Sequence, residues 1–121
     1  MEKKTKTKLY FIIATIIIFF SGVMALAFQT NFGSVDVQQV AITDANGDKI
    51  VGKLYRPINV DGANPAPGIL GLHGYNNDKD VQRPASLELA RAGFVVLAID
   101  ELGHGDSEGS VTFGTEGSQE A

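Results

Sequence analysis

Hydrophobic and polar positions divide the chain into three stretches with different periods. The first has no period at all. "LYFIIATIIIFFSGVMALAF", Leu9 to Phe28, contains 20 residues without a charge. At 1.5 Å per residue such a helix is ~30 Å long, the thickness of a hydrocarbon core. A helix packed on a soluble domain would keep a polar stripe, and this run has none. The second stretch has period two. "VDVQQVAIT" (35–43) and "KIVGKLYRP" (49–57) read as strands joined by "DANGD" (44–48), whose Asn46-Gly47 is a hairpin turn signal. Pro57 ends the returning strand, and "INVDGANPAP" is rich in turn formers. The third stretch holds two short apolar runs without alternation, "GILGLHG" (68–74) and "FVVLAID" (94–100), the pattern of strands covered on both faces.

Between those runs, "YNNDKDVQR" reads as a polar loop and "PASLELARAG" (84–93) as a helix. Pro84 suits its first turn, Gly93 the position just past its end, and Leu87, Ala90 and Phe94 can face a sheet. Strand, helix and strand in this order predict a right-handed βαβ unit with parallel strands. The expected fold class is therefore α/β. It comprises a membrane-spanning helix in a segment 1–28, a linker 29–34 ("QTNFGS") and a domain 35–121 built from an antiparallel hairpin followed by the parallel unit. In such sheets ligands sit beyond the C-terminal ends of the strands, here at His73-Gly74-Tyr75 and at Asp100 to Ser110. The tail "VTFGTEGSQEA" carries little pattern.

Charge adds a direction. Lys3, Lys4, Lys6 and Lys8 precede the apolar run, which keeps that end cytoplasmic and exports the residues after Phe28. Ala25-Leu26-Ala27 has the small-x-small form of a cleavage site, so two outcomes stand. One is an uncleaved anchor with the domain on the extracytoplasmic side; the other is a secreted domain cleaved after Ala27. The length of the run exceeds that of an ordinary signal core and favours the anchor. Residues 28–121 hold six basic and 13 acidic residues, a balance of −7, with no basic patch for nucleic acid. The absence of cysteine excludes disulfides, thiolate catalysis and cysteine–zinc sites.

Several patterns invite chemical readings. Gly105-Asp106-Ser107-Glu108-Gly109 is a literal G-x-S-x-G. A nucleophile elbow needs a strand running straight into a tight turn and a helix, yet Ser107 lies seven positions beyond Asp100 and no helical pattern comes after it. In an α/β-hydrolase order the histidine follows the serine, whereas His73 and His104 both precede Ser107. Ser107 is thus expected to be a turn-stabilising loop serine. His73 and His104 lack a metal-ligand spacing and read as loop-packing residues, with no metal site. Asp44-x-Asn46-x-Asp48 and Asp78-x-Asp80 begin like calcium loops but lack the following Gly and distal Glu. Gly68, Gly71 and Gly74 with Asp100 loosely imitate a dinucleotide fingerprint at the wrong spacing, a remote alternative. Asp100 and Glu101 close a strand at the ligand edge, where they either meet a substrate amine or cap the loop.

Over residues 35–110 the ordered pieces "PAPGILGLHGYNN" and "LELARAGFVVLAIDELGHGDSEG" resemble the N-terminal portion of the α/β-hydrolase family, nearest its peptidase- and esterase-like serine hydrolases. The resemblance implies a larger sheet, no cofactor, and acyl transfer on an ester, thioester or peptide substrate. It aligns His73-Gly74-Tyr75 with the oxyanion loop, with the Tyr75 backbone N–H as donor, and Ser107 with a loop after the fourth strand rather than with the nucleophile. It also implies a nucleophile elbow, acid and histidine further along a longer chain. These 121 residues are accordingly expected to be an incomplete hydrolase sheet, poorly folded and inactive alone, with an open strand edge and an uncovered apolar face. Two other readings stand beside it: a non-catalytic binding module on a membrane anchor, and a half-domain completed by a partner chain.

Overall fold

The computed structural model describes residues 2–111, with side chains from residue 4 onward; residues 112–121 of the tail lie outside the described residues. Helix α1 runs from Glu2 to Gln29. Its large apolar side chains stand away from the rest of the molecule, and the helix is long and apolar enough to cross a membrane by length and composition. The Thr15 and Ser21 hydroxyls donate to the carbonyls of Phe11 and Ile17 at 2.9 and 2.7 Å. Both are thereby satisfied within the helix.

Residues 30–34 form a hydrogen-bonded turn between α1 and the first strand. The Phe32 N–H donates to Ala27 O at 2.7 Å and the Asn31 N–H to Phe28 O at 3.3 Å, closing α1 in a Schellman cap. Asn31 occupies the left-handed position at φ 47°. Thr30 O then accepts from Gly33 and Val35, so the cap runs directly into the first strand.

Strands β1 (Val35–Thr43) and β2 (Lys49–Pro57) pair antiparallel over their full length, with Val35 opposite Pro57 and Thr43 opposite Lys49. Asp44 builds the turn between them by accepting from the N–H groups of Asn46 and Asp48. Its calcium-like spacing thus serves an Asx turn. Strand β3 (Gly68–Gly71) and strand β4 (Val95–Ile99) pair in parallel, and β4 also pairs antiparallel with β2. The order β1-β2-β4-β3 makes a mixed sheet with β3 at one edge. The apolar runs are longer than these strands, because the chain turns off at both parallel C-termini to build loops.

Helix α2 (Arg83–Arg91) covers one face of the sheet. Cross-strand register places Val37, Tyr55, Val96 and Ile69 in one row beneath it. Ser86 and Ala90, four apart and both buried, are the small residues that let α2 approach. Gly93, at φ 101°, lies one residue past the helix cap, as the sequence predicts. The segment before α2 departs from expectation. "YNNDKDVQR" is not all polar loop, since Lys79–Gln82 (η1) form a 3-10 turn in which Lys79 is buried.

The opposite face carries the row Gln38, Leu54, Leu97 and Leu70. Gly52 leaves room there, because a Cβ would meet the Leu97 and Ile99 side chains at 3.1 Å. This face has no helix over it among the described residues. Leu70 and Leu72 are 58% and 51% exposed despite a composition suited to cover on both sides.

Candidate active site

Antiparallel β2 brings the 44–48 hairpin turn to the same end of the sheet as the C-termini of β3 and β4. Two loops leave the sheet there, His73–Asp78 after β3 and Asp100–Gly109 after β4, and their junction is built on a buried ion pair.

Asp100 is 0% exposed and Lys79 3%. The Lys79 Nζ donates to Asp100 Oδ2 at 2.6 Å and to the Asp106 carboxylate at 2.8 Å. The Lys79 N–H donates to Asp100 Oδ1 at 2.6 Å, and the Asp106 N–H to Asp100 Oδ2 at 2.9 Å. Burial alone would raise the Asp100 pKa, but the Lys79 ammonium and these two backbone N–H groups outweigh it and hold the carboxyl below the ordinary range. For Lys79, burial would lower the pKa, and the two carboxylates outweigh it and raise it. Gly105, at φ 52°, passes directly over the carboxylate, where a Cβ would collide with Asp100 Cγ and both oxygens. Asp100 is therefore the hub around which the loop winds. That geometry decides between the readings left open for it: a carboxylate with no exposure caps the loop.

The rest of the loop is tied to β2. Ser107 Oγ accepts from the Val51 N–H at 2.8 Å and donates to Asp100 O at 2.7 Å. Lys49 and Glu108 exchange two hydrogen bonds of 2.9 Å, backbone to backbone and backbone to carboxylate. A serine hydroxyl engaged on both sides is held in place, not presented to solvent.

The His73–Asp78 loop is joined to the other loop by rings. His73 Nε2 accepts from the Glu101 N–H at 3.1 Å, which assigns the ring proton to Nδ1, 3.0 Å from Gly74 O. The His73 and His104 ring centroids lie 5.0 Å apart, and His104 meets Tyr75 edge-on at 6.1 Å. Tyr75 is 64% exposed at the mouth between the loops. A Cβ on Gly74 would meet only Asn77 Nδ2, at 3.9 Å, so its backbone is uncrowded among the described residues. Asp78 caps η1 through the Asp80 N–H, and Asp80 receives Lys53 at 2.5 Å and Arg83 at 3.0 Å. Those contacts, Lys53 foremost, lower the Asp80 pKa.

The structure thus gathers His73, Gly74, Tyr75, His104, Asp100 and Ser107 at one end of the sheet and leaves the Asp44–Asp48 turn to the hairpin. No group of three potential ligands that could hold a metal occurs among the described residues. The residue that sequence reasoning missed is Lys79. A lysine between two aspartates in a polar stretch carries no local sign of burial, and only its distant partner Asp100 reveals its place.

A mixed sheet in this order, with ligand-edge loops after two parallel strands, defines an α/β-hydrolase fold. Residues 46–121 match the X-Pro dipeptidyl-peptidase (S15 family), and the chain belongs to that family. No curated protein matches the chain. Among solved structures it is similar to a hypothetical protein of Pseudomonas aeruginosa, with 27% identity, TM-score 0.56, and coverage of 63% of this chain and 24% of that one. It is similar to an esterase of Pyrococcus furiosus, with 29% identity, TM-score 0.54, and coverage of 66% and 30%. It also resembles an epoxide hydrolase of Vigna radiata, with 25% identity, TM-score 0.52, and coverage of 64% and 21%. The chain therefore spans between a fifth and a third of the length of these proteins.

Proposed function

We propose that the chain is the N-terminal part of an exported, membrane-tethered serine hydrolase that cleaves an ester, thioester or peptide bond by acyl transfer. Residues 9–28 are its membrane anchor, and 35–121 begin its catalytic domain. The family match favours the peptide bond, and the hydrolase relatives keep the others in range. The observation that carries the reading is the His73-Gly74-Tyr75 loop, fixed at the C-terminal end of β3 by the Glu101-to-His73 bond and the Lys79–Asp100 pair. In this reading the Tyr75 backbone N–H donates to the oxyanion of the tetrahedral intermediate, with Gly74 and His73 shaping the loop. Nucleophile, acid and general base lie outside these 121 residues, on further strands of the same polypeptide or on a partner chain. The exposed Leu70–Leu72 face and the β3 edge, unpaired among the described residues, support a sheet that continues.

Labelling with a fluorophosphonate probe tests the reading. The purified chain is expected to remain unlabelled, and a complementing polypeptide that supplies the elbow and late histidine is expected to be labelled only when the two are together. Label on Ser107 of the chain alone would overturn the assignment. In the completed enzyme, Tyr75→Pro removes the donor N–H and should lower kcat by about 10²–10³, the usual loss for one oxyanion donor. Tyr75→Phe should leave kcat unchanged.

A further inference from the structure

We propose that Phe28, Phe32 and Ile58 form an apolar footing that sits in the interfacial layer of the bilayer and holds the catalytic end of the domain away from it. The inference rests on the membrane-anchor reading of α1. Three observations carry it. First, Phe28 at the end of the long run, and Phe32 and Ile58 beyond it, are all strongly exposed large apolar residues, with Phe32 66% exposed. They gather at one place. The Phe28 and Phe32 rings pack edge-on at 5.3 Å, the Ile58 N–H donates to Ser34 O at 3.2 Å, and Ile58 borders the same groove as Thr30 and Gly33.

Second, this place continues the apolar surface of α1. Phe28 is the last residue of the apolar run and Phe32 lies four residues further on. A helix whose apolar length matches the hydrocarbon core ends at the headgroup level, where rings are favoured and a shallow apolar patch is buried without leaving the interface.

Third, the connection is stiff. Asn31, Phe32 and Gly33 are successively left-handed, with φ of 47°, 56° and 81°. For a phenylalanine that conformation is strained, and it persists because the Schellman cap and the bonds to Thr30 O and Ser34 O hold it on both sides. The strain presents the Phe32 ring beside Phe28 on the helix side of the domain instead of on the sheet.

The register of β1 then fixes the far end. Val35 starts at the footing and Thr43 reaches the hairpin turn, nine residues or ~30 Å away. Lys49, beside that turn, is bonded to Glu108, so the loop after β4 lies at the end of the hairpin remote from the footing.

The chain contains no tryptophan, which makes single-tryptophan variants of the full chain in phosphatidylcholine vesicles clean reporters. Lipids brominated near the glycerol or deep in the acyl chain serve as quenchers. Phe19→Trp, in the middle of α1, should lose emission to deep bromines. Phe32→Trp should be blue-shifted and lose emission to shallow bromines. Tyr75→Trp should keep its intensity with both. If Phe19→Trp is quenched but Phe32→Trp behaves like Tyr75→Trp, the footing is wrong and the anchor stands. If Tyr75→Trp is quenched as well, the domain lies flat and the fixed orientation is wrong. If Phe19→Trp is not quenched, the anchor reading fails and the footing with it.

Discussion

The two loops at the ligand edge leave adjacent parallel strands and touch each other, yet they are built by opposite means. The loop after β4 is tied at almost every residue. Asp100 takes four hydrogen bonds, two of them from Lys79 and one from Asp106 through the backbone, while Asp106 shares the Lys79 ammonium and Ser107 and Glu108 bind β2. The loop after β3 is held by His73, by the ring contact of Tyr75 and by backbone acceptors at Leu72 and Gly74, and its Tyr75 side chain is 64% exposed. The difference shows how such an edge can be made. One loop is spent on a rigid wall around a buried charge, and the other, leaning on that wall, presents backbone to the mouth. In the literal G-x-S-x-G of residues 105–109, Gly105 passes over the Asp100 carboxylate, Ser107 binds the Asp100 carbonyl, and Gly109 packs against Leu102.

The largest effect should come from breaking the wall. Asp100→Ala leaves the Lys79 ammonium buried with only the exposed Asp106 for company, and losing one member of a buried pair costs about 3–5 kcal/mol. Urea unfolding of the full chain in detergent measures it. Adding Lys79→Met should recover a large part of the loss, because an apolar side chain of similar length fills the site without an unpaired charge. Failure of the double variant to recover would mean that packing, not charge, dominates the hub.

The same pair sets a pH window. The folded Asp100 pKa is depressed, so its contribution is complete above the unfolded value of ~4 and is lost as pH falls through the folded value. The folded Lys79 pKa is raised, so its contribution is complete below the unfolded value of ~10.4 and is lost as pH rises through the folded value. Stability should be flat between those limits and fall outside them, and Asp100→Asn should blunt the acid arm in a urea series across pH.

Smaller steps sharpen the contrast. Gly105→Ala drives a methyl into the Asp100 carboxylate from a left-handed backbone, and should cost about 2 kcal/mol or more, with the greatest loss of hydrogen-exchange protection at the Asp106 amide. Ser107→Ala removes the acceptor of the Val51 N–H and should cost about 1–2 kcal/mol, seen as faster exchange of that amide. Tyr75→Ala, on the other loop, should change stability by less than about 0.5 kcal/mol. A Tyr75→Ala effect as large as that of Ser107→Ala would dissolve the distinction between wall and mouth.

Much of this architecture is legible in the chain alone. The two nine-residue strands, their turn, the helix ending before Gly93 and the parallel pair come from period, Asn46-Gly47 and the placement of Pro84. These are short-range signals, each dictated by local backbone preference. Within the 29–34 linker, the left-handed turn at Asn31-Phe32 depends on hydrogen bonds to the end of α1, which no local composition announces. The burial of Lys79 is equally invisible.

Local order in the chain settles which segments are helix and strand, puts the apolar helix at the start, and carries the resemblance that places His73-Gly74-Tyr75 at a strand end. The use of charge and conformation is settled only in three dimensions. A lysine and an aspartate 21 residues apart cancel in a buried site, a serine in a suggestive motif closes a loop, and three left-handed residues turn a linker into a joint. The cause is range. Backbone preference and hydrophobic period act over a few residues and are written locally, whereas the energy of a buried charge depends on the groups that folding brings within about 3 Å of it.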